Sequence, residues 1–235
     1  MPPQPLLAFS VSGIVSSLIC WAILAFNSLH HHASADSPET GQPQKIHDRR
    51  APRIAGLAVF FGIVIAALVT QALLAIELAG IGTICFMAVF TEDLTRRVTP
   101  ATRYIAALLT GLLAYVFMNV QIVHLDISWL DPLLRHWSLS LVLTVFAIAS
   151  FAHATNLTDG LHGLSAGLCT TAFIATAGVA TAVGDRELAT VCWICVGSLF
   201  GFLLFNFPWG RIFLGDGGAY FTGAMLAFLV ILLVQ

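Results

Sequence analysis

Apolar runs of about 20 residues follow one another along most of this chain, and that repetition limits the fold more than any single motif. A helix needs about 20 mostly apolar residues to cross a bilayer, and a backbone in lipid must satisfy its own hydrogen bonds. On that measure the spans fall at about 6–28, 54–76, 79–91, 101–121, 138–152, 164–183, 188–205 and 218–235, the third being short for a free-standing span. The expected fold is all-α, a polytopic membrane helical bundle of about eight spans, forming a single domain over residues 1–235. Only 9% of the residues are charged and 58% are hydrophobic, whereas a water-soluble domain carries about 25% charged residues. A net charge of -2 gives no basis for a nucleic-acid partner. Cys20, Cys85, Cys169, Cys192 and Cys195 all lie in apolar runs, which is no disulfide framework. No basic residue precedes the first apolar run, so it is read as a retained span rather than a signal peptide.

The basic residues fall on alternate loops. Lys45, Arg49, Arg50, Arg53, Arg96, Arg97, Arg103 and Arg211 are on one side, and only Arg135 and Arg186 are on the other. The positive-inside rule places the first group in the cytoplasm and the N-terminus outside. Two polar, glycine-punctuated islands land on that same side: HATNLTDGLHGLSAG (His153 to Gly167) and FLGDGGAYFTG (Phe213 to Gly223). The Glu92–Asp93 pair falls there too. These two acids end an apolar run, where the helix macrodipole disfavours negative charge. Either Arg96 and Arg97 or a bound divalent cation would offset that cost, and the cation is the reading adopted. Thr99 and Pro100 form an N-cap and first-turn pair for the next span.

Asp93, Asp159 and Asp216 on one face supply hard oxygen donors of the kind that suit Mg²⁺, held with substrate phosphates. Gly215, Asp216, Gly217 and Gly218 open the last span, and unpaired N–H groups at a helix start favour anions. Asp216 on its own is equally a plain N-cap; with the other two it points to a shared Mg²⁺–phosphate site. The stretch KIHDRRAPRIAG, with Lys45, His47, Arg50 and Arg53, is open between a topogenic anchor and a phosphate clamp. His30–His32 is read as a solvated run, Cys192-x-x-Cys195 as apolar helix, and Gly197-x-x-x-Gly201 as a helix-packing face. The aromatic segment between Gln121 and Trp137 is expected along the interface, without chemistry.

Four stretches in register, KIHDRRAPRIAG, TEDLTRRVTP, HATNLTDGLHGLSAG and NFPWGRIFLGDGGAYFTG, resemble the polyprenyl-phosphate N-acetylhexosamine-1-phosphate transferases. That family includes the phospho-N-acetylmuramoyl-pentapeptide translocase and the enzymes that start O-antigen and capsule lipid intermediates. The resemblance implies transfer of a sugar-1-phosphate from a UDP-sugar donor to undecaprenyl phosphate, with Mg²⁺ (or Mn²⁺), at the bacterial inner membrane. It implies that Asp216 is the chief metal ligand, and that Asp159 and Asp93, with Glu92, serve metal, pyrophosphate or lipid phosphate. Asn156, His162, Asn206 and Phe213 are implied on the nucleotide or sugar side, with Lys45, His47, Arg53 and Gly217 near the phosphates. The sequence departs from the family at Glu92, often Asp; at His162, often Asp or Asn; and at Ala55–Gly56, often a glycine pair. Lacking a pentapeptide signature, the chain is placed with the O-antigen or capsule branch, and a homodimer is an open expectation.

The last apolar run is still apolar at Val234, with only Gln235 after it. The protein is therefore expected to continue beyond this point, with its carboxylates converging on a cleft left open on one side. An inactive fragment of such an enzyme and a multi-pass transporter are the alternative readings.

Overall fold

A computed structural model describes residues 5–26, 51–95 and 99–235. Among them the helices are α1 (Pro5–Ala25), α2 (Gly56–Thr70), α3 (Leu73–Thr95), α4 (Pro100–Met118), a short α5 (Asp131–Leu134), α6 (Trp137–Thr158), α7 (Leu164–Val183), α8 (Arg186–Asn206) and α9 (Gly215–Val234). Seven of these are long and apolar enough to cross a membrane, and α2 is a shorter apolar helix. The helical bundle is thus as the apolar runs imply, with one exchange. The short span is the second, not the third. Gln71 adopts a left-handed φ of 54° and its N–H turns back to Ala67 and Leu68, ending α2 at Thr70 and letting α3 start at Leu73.

The best-buried helices are α9 and α8, with 78% and 72% of their apolar windows inside the protein, against 22% for α1. α9 packs on α3 and α6, α8 on α1, α2 and α7, and α4 bridges α3 and α6. Small residues make these approaches possible. A Cβ at Gly197 would stand 2.2 Å from the Phe9 carbonyl oxygen, and one at Gly201 2.4 Å from that of Gly13. The glycine pair therefore does pack α8 onto α1, because only backbone without side chains leaves room. Three buried threonine hydroxyls are satisfied within their own helices: Thr110, Thr190 and Thr222 each donate to a carbonyl four residues earlier. Large apolar side chains of α1, α4, α6 and α7, such as Leu18, Phe117, Phe146 and Ile174, face outward, as a lipid-facing surface requires.

Beneath the polar end of the bundle an aromatic cluster locks α2, α3 and α9 together. Phe60 stacks on Phe86 at 4.6 Å, Phe86 on Phe90 at 5.2 Å, and Phe221 meets Phe60 edge-on at 5.2 Å. Each such pair adds about 0.5–1.5 kcal/mol beyond area burial. This cluster fixes the end of α3 against the start of α9, and so sets where Asp93 meets Asp216.

Candidate active site

The site is built where several chain ends meet: the segment 51–55, the end of α3, the starts of α4 and α9, and the end of α6. Segment 51–55 is tied to the residues before α9 by backbone hydrogen bonds. Phe213 N–H donates to Pro52, Ala55 N–H to Phe213, and Gly56 N–H to Leu214, at 2.8, 3.1 and 2.7 Å. Glycines permit this closeness. Gly56 and Gly218 are so near that a Cβ on Gly56 would lie 2.6 Å from the Gly218 Cα. Gly215 has φ +78°, and its Cβ would lie 2.1 Å from the Arg53 carbonyl oxygen and 3.0 Å from both Asp93 carboxylate oxygens.

Asp93 answers the macrodipole question in a way the sequence did not suggest. Its Oδ1 accepts the Asp216 N–H and its Oδ2 the Gly217 N–H, both at 2.8 Å. The negative end of α3 is therefore offset by the positive end of α9, with no cation needed. Two expectations change with it. Asp93, expected to hold metal or act on the acceptor, caps α9 from a neighbouring helix. Gly217, expected near phosphate, gives its N–H to Asp93, and it packs so closely on Phe90 that a Cβ would sit 2.9 Å from the Phe90 Cα. Asp216 is not its own helix's cap. Its carboxylate is held by two guanidiniums, with Arg53 Nη2 3.1 Å from Oδ1 and Arg103 Nη1 on Oδ2. Asp159 follows the last residue of α6 as its C-cap, with Arg53, Asp216 and Asp93 as its charged neighbours.

Three carboxylates thus face two guanidiniums, one negative charge in excess when all are ionised. Burial pushes the Asp93 carboxyl up to about 7, and the Asp216 charge adds to it, while the Gly217 and Asp216 N–H groups and Arg53 oppose. Burial likewise pushes Asp159 up to about 8, with Asp216 and Asp93 adding and Arg53 and the Gly215 N–H opposing. One turn before Asp159, the buried Asn156 Oδ1 has no hydrogen-bond partner among the described residues. An oxygen-only donor set short of positive charge, with an orphaned amide oxygen beside it, fits a hard divalent cation.

The remaining expected residues divide. His162 and Phe213 come together, rings 5.5 Å apart, with His162 Nδ1 3.2 Å from the Pro208 carbonyl oxygen. Asn206, expected on the nucleotide side, is buried and committed to the scaffold. Its Oδ1 accepts the Gly163 N–H at 2.6 Å and its Nδ2 donates to the Ile212 carbonyl at 2.8 Å. That amide clamps the loop before α7 to the loop before α9. Lys45 and His47 lie outside the described residues, as does the side chain of Glu92. Arg103 is the residue that sequence reasoning missed, having counted it only as a basic marker of topology. Its signal was position: the Thr99 hydroxyl accepts the Thr102 N–H and Pro100 opens α4, which puts Arg103 in the first turn of an apolar helix. Deeper in the bundle, His153 Nδ1 is 2.7 Å from the Tyr220 hydroxyl and its ring meets Tyr104 edge-on at 6.0 Å.

The profile of glycosyl transferase family 4 matches residues 74–234. The chain belongs to that family. The match runs from α3 to α9 and so contains all three carboxylates. This family 4 chain is 42% identical over 113 residues to the phospho-N-acetylmuramoyl-pentapeptide-transferase of Lactiplantibacillus plantarum, covering 47% of the chain and 35% of that protein. It is 27% identical over 190 residues to the probable undecaprenyl-phosphate N-acetylglucosaminyl 1-phosphate transferase of Bacillus subtilis, covering 80% of the chain and 53% of that protein. The aligned part spans 35% and 53% of these two relatives' lengths.

Proposed function

We propose that this chain transfers a sugar-1-phosphate, an N-acetylhexosamine-1-phosphate, from a UDP-sugar to undecaprenyl phosphate at the cytoplasmic face of the bacterial inner membrane. A P–O bond forms between the lipid phosphate and the sugar phosphate, the bond from sugar phosphate to UMP breaks, and UMP leaves. The product starts a lipid-linked O-antigen, capsule or cell-wall intermediate. The observation that carries this reading is the meeting of Asp93, Asp159, Asp216, Arg53 and Arg103 around Gly215, at one end of an apolar bundle. The names of the relatives in the same family supply the substrate class.

Asp216 and Asp159, with the Asn156 amide oxygen nearby, would hold Mg²⁺ or Mn²⁺, and Asp93 fixes Asp216 by gripping the start of α9. Bound there, Mg²⁺ supplies charge neutralisation for the pyrophosphate during phosphoryl transfer. Arg53 and Arg103 are the counter-ions of Asp216, and a substrate phosphate gives the same guanidiniums a bidentate partner of the same sign. A phosphate monoester has a second pKa near about 6, so the acceptor is mostly dianionic at neutral pH and needs positioning more than deprotonation. The basic residues on the same end, with the positive-inside rule, support a cytoplasmic active site.

The test is incubation of purified protein with undecaprenyl phosphate, Mg²⁺ and radiolabelled UDP-N-acetylhexosamines. Label moving into the lipid fraction with matching UMP release supports the transferase. Vesicle uptake of label without UMP is the transporter outcome and rejects it.

A further inference from the structure

Residues 119–136 join the far end of α4 to the start of α6. From the Arg103–Asp216 pair α4 runs on to Met118, 118 − 103 = 15 residues or about 22 Å at 1.5 Å per residue, so this loop lies at the bundle end opposite the carboxylates. The Gln121 N–H meets the Gln235 side chain just past the end of α9, at 3.4 Å, which agrees. The loop was expected to carry no chemistry, yet three side chains of metal-ligating type converge in it. His124, Asp126 and Asp131 each offer a ligand atom, and these atoms all lie within 4.8 Å of one another.

The spacing is informative. His124 Nε2 stands 3.3 Å from Asp131 Oδ2 and 3.6 Å from Asp126 Oδ1. A charge-assisted N–H···O⁻ bond closes to about 2.7–2.9 Å, and neither pair does so. Donors bound to one Zn²⁺ at about 2.0–2.2 Å stand about 3.3–3.6 Å apart at the corners of a tetrahedron; both His124 pairs have that separation, and the two carboxylates lie within 4.8 Å of each other. The other Asp131 oxygen, Oδ1, accepts the Leu125 N–H at 2.9 Å. That outer contact orients the carboxylate, as the second shell of a metal site does, and leaves Oδ2 toward His124.

We propose that His124, Asp126 and Asp131 form a second divalent-metal site, matched to Zn²⁺, with its fourth position open to water. One imidazole with two carboxylates suits a borderline transition metal rather than the oxygen-only Mg²⁺ or Ca²⁺. The bound ion ties the start of the loop to α5 and closes it over the end of the bundle. This site stands independently of the transferase reading.

The experiment is a Zn²⁺ titration of the full, untagged chain in detergent, read against a chromophoric chelator in excess Mg²⁺. His30–His32 are changed to alanine in every sample, so that the histidine run contributes nothing. The expected result is one Zn²⁺ per chain with a dissociation constant of about 1 µM or tighter, and a rise in Tm on binding. His124→Ala and Asp126→Asn each weaken uptake at least about tenfold, since each removes one of three ligands. The two side chains are 55% and 95% exposed, so both variants keep the fold, checked by unchanged helicity. Co²⁺ in place of Zn²⁺ gives a visible band that both variants lose. No uptake, or uptake unchanged in either variant, would overturn the proposal and leave a histidine–carboxylate contact.

Discussion

Gly215→Ala tests the site's geometry with one methyl group. The residue sits at φ +78°, a left-handed conformation that costs an L-residue about 1–2 kcal/mol. The added Cβ would lie 2.1 Å from the Arg53 carbonyl oxygen, where ordinary contact begins at 3.4 Å. Backbone must therefore move by the difference, 3.4 − 2.1 = 1.3 Å. The oxygen that yields belongs to the residue whose guanidinium holds Asp216. Overpacking adds about 1–3 kcal/mol, so the total loss of stability is about 2–5 kcal/mol. A displacement near 1 Å at a catalytic centre costs about 10²-fold in rate. The assay is thermal unfolding in detergent together with the rate of lipid-linked product formation. Gly80→Ala, with nothing within 4 Å of the new Cβ, is the control: it should leave the rate unchanged and not lower Tm, alanine being the better helix former by about 1 kcal/mol. A Gly215→Ala protein with wild-type Tm and rate would refute the placement of Arg53, Asp93 and Asp216 around this glycine.

Arg103→Ala leaves Asp216 with Arg53 alone; UDP-sugar binding should weaken at least about tenfold, and Arg103→Lys should restore part of it, lacking the bidentate fork. Equal binding by wild type and Arg103→Ala would remove Arg103 from the site. Asn206→Ala strands the Gly163 N–H and the Ile212 carbonyl, at about 1–3 kcal/mol each, so Tm should fall by several degrees with no direct effect on nucleotide affinity beyond that. Divalent-cation affinity should depend on pH, because ligand carboxylates must be ionised. With the ligand Asp159 raised to about 8, affinity for Mn²⁺ should fall about tenfold per unit as pH drops below 8. A flat profile from pH 6 to 8 would contradict that shift. The same shift carries a sign for stability without metal. Between the ordinary value of 3.8 and about 8 the folded state binds more protons than the unfolded one, so Tm should decline as pH rises through that window.

The bundle was legible because apolar runs report directly on helices in lipid: each span overlaps a helix, although the ends differ by as much as from 79 to Leu73 and from 152 to Thr158. The exchange between α2 and α3 was not, since Gln71 at φ 54° carries no sign of a left-handed turn in its residue type. That Asp93, Asp159 and Asp216 meet at one end was legible from alternating loops. Their hydrogen bonds were not. Which N–H groups Asp93 accepts depends on the register of α3 against α9, set by Phe60, Phe86 and Phe221, and no local pattern encodes that register. Asn206 shows the same limit, for an amide that clamps two loops and an amide that reads a nucleotide look alike in a sequence. The cluster at His124, Asp126 and Asp131 escaped notice because its loop reads as an apolar interfacial segment.

The central claim, a divalent-cation and phosphate site on Asp216 and Asp159, is tested most directly by Mn²⁺ electron paramagnetic resonance on the purified protein. Samples carry His124→Ala to remove the distant site, and are titrated with and without UDP-N-acetylglucosamine. The account predicts one Mn²⁺ per chain, bound more tightly when the nucleotide sugar is present, and lost in Asp216→Asn and in Asp159→Asn at unchanged helicity. Mn²⁺ binding that survives both substitutions, or that is indifferent to the nucleotide sugar, would contradict it.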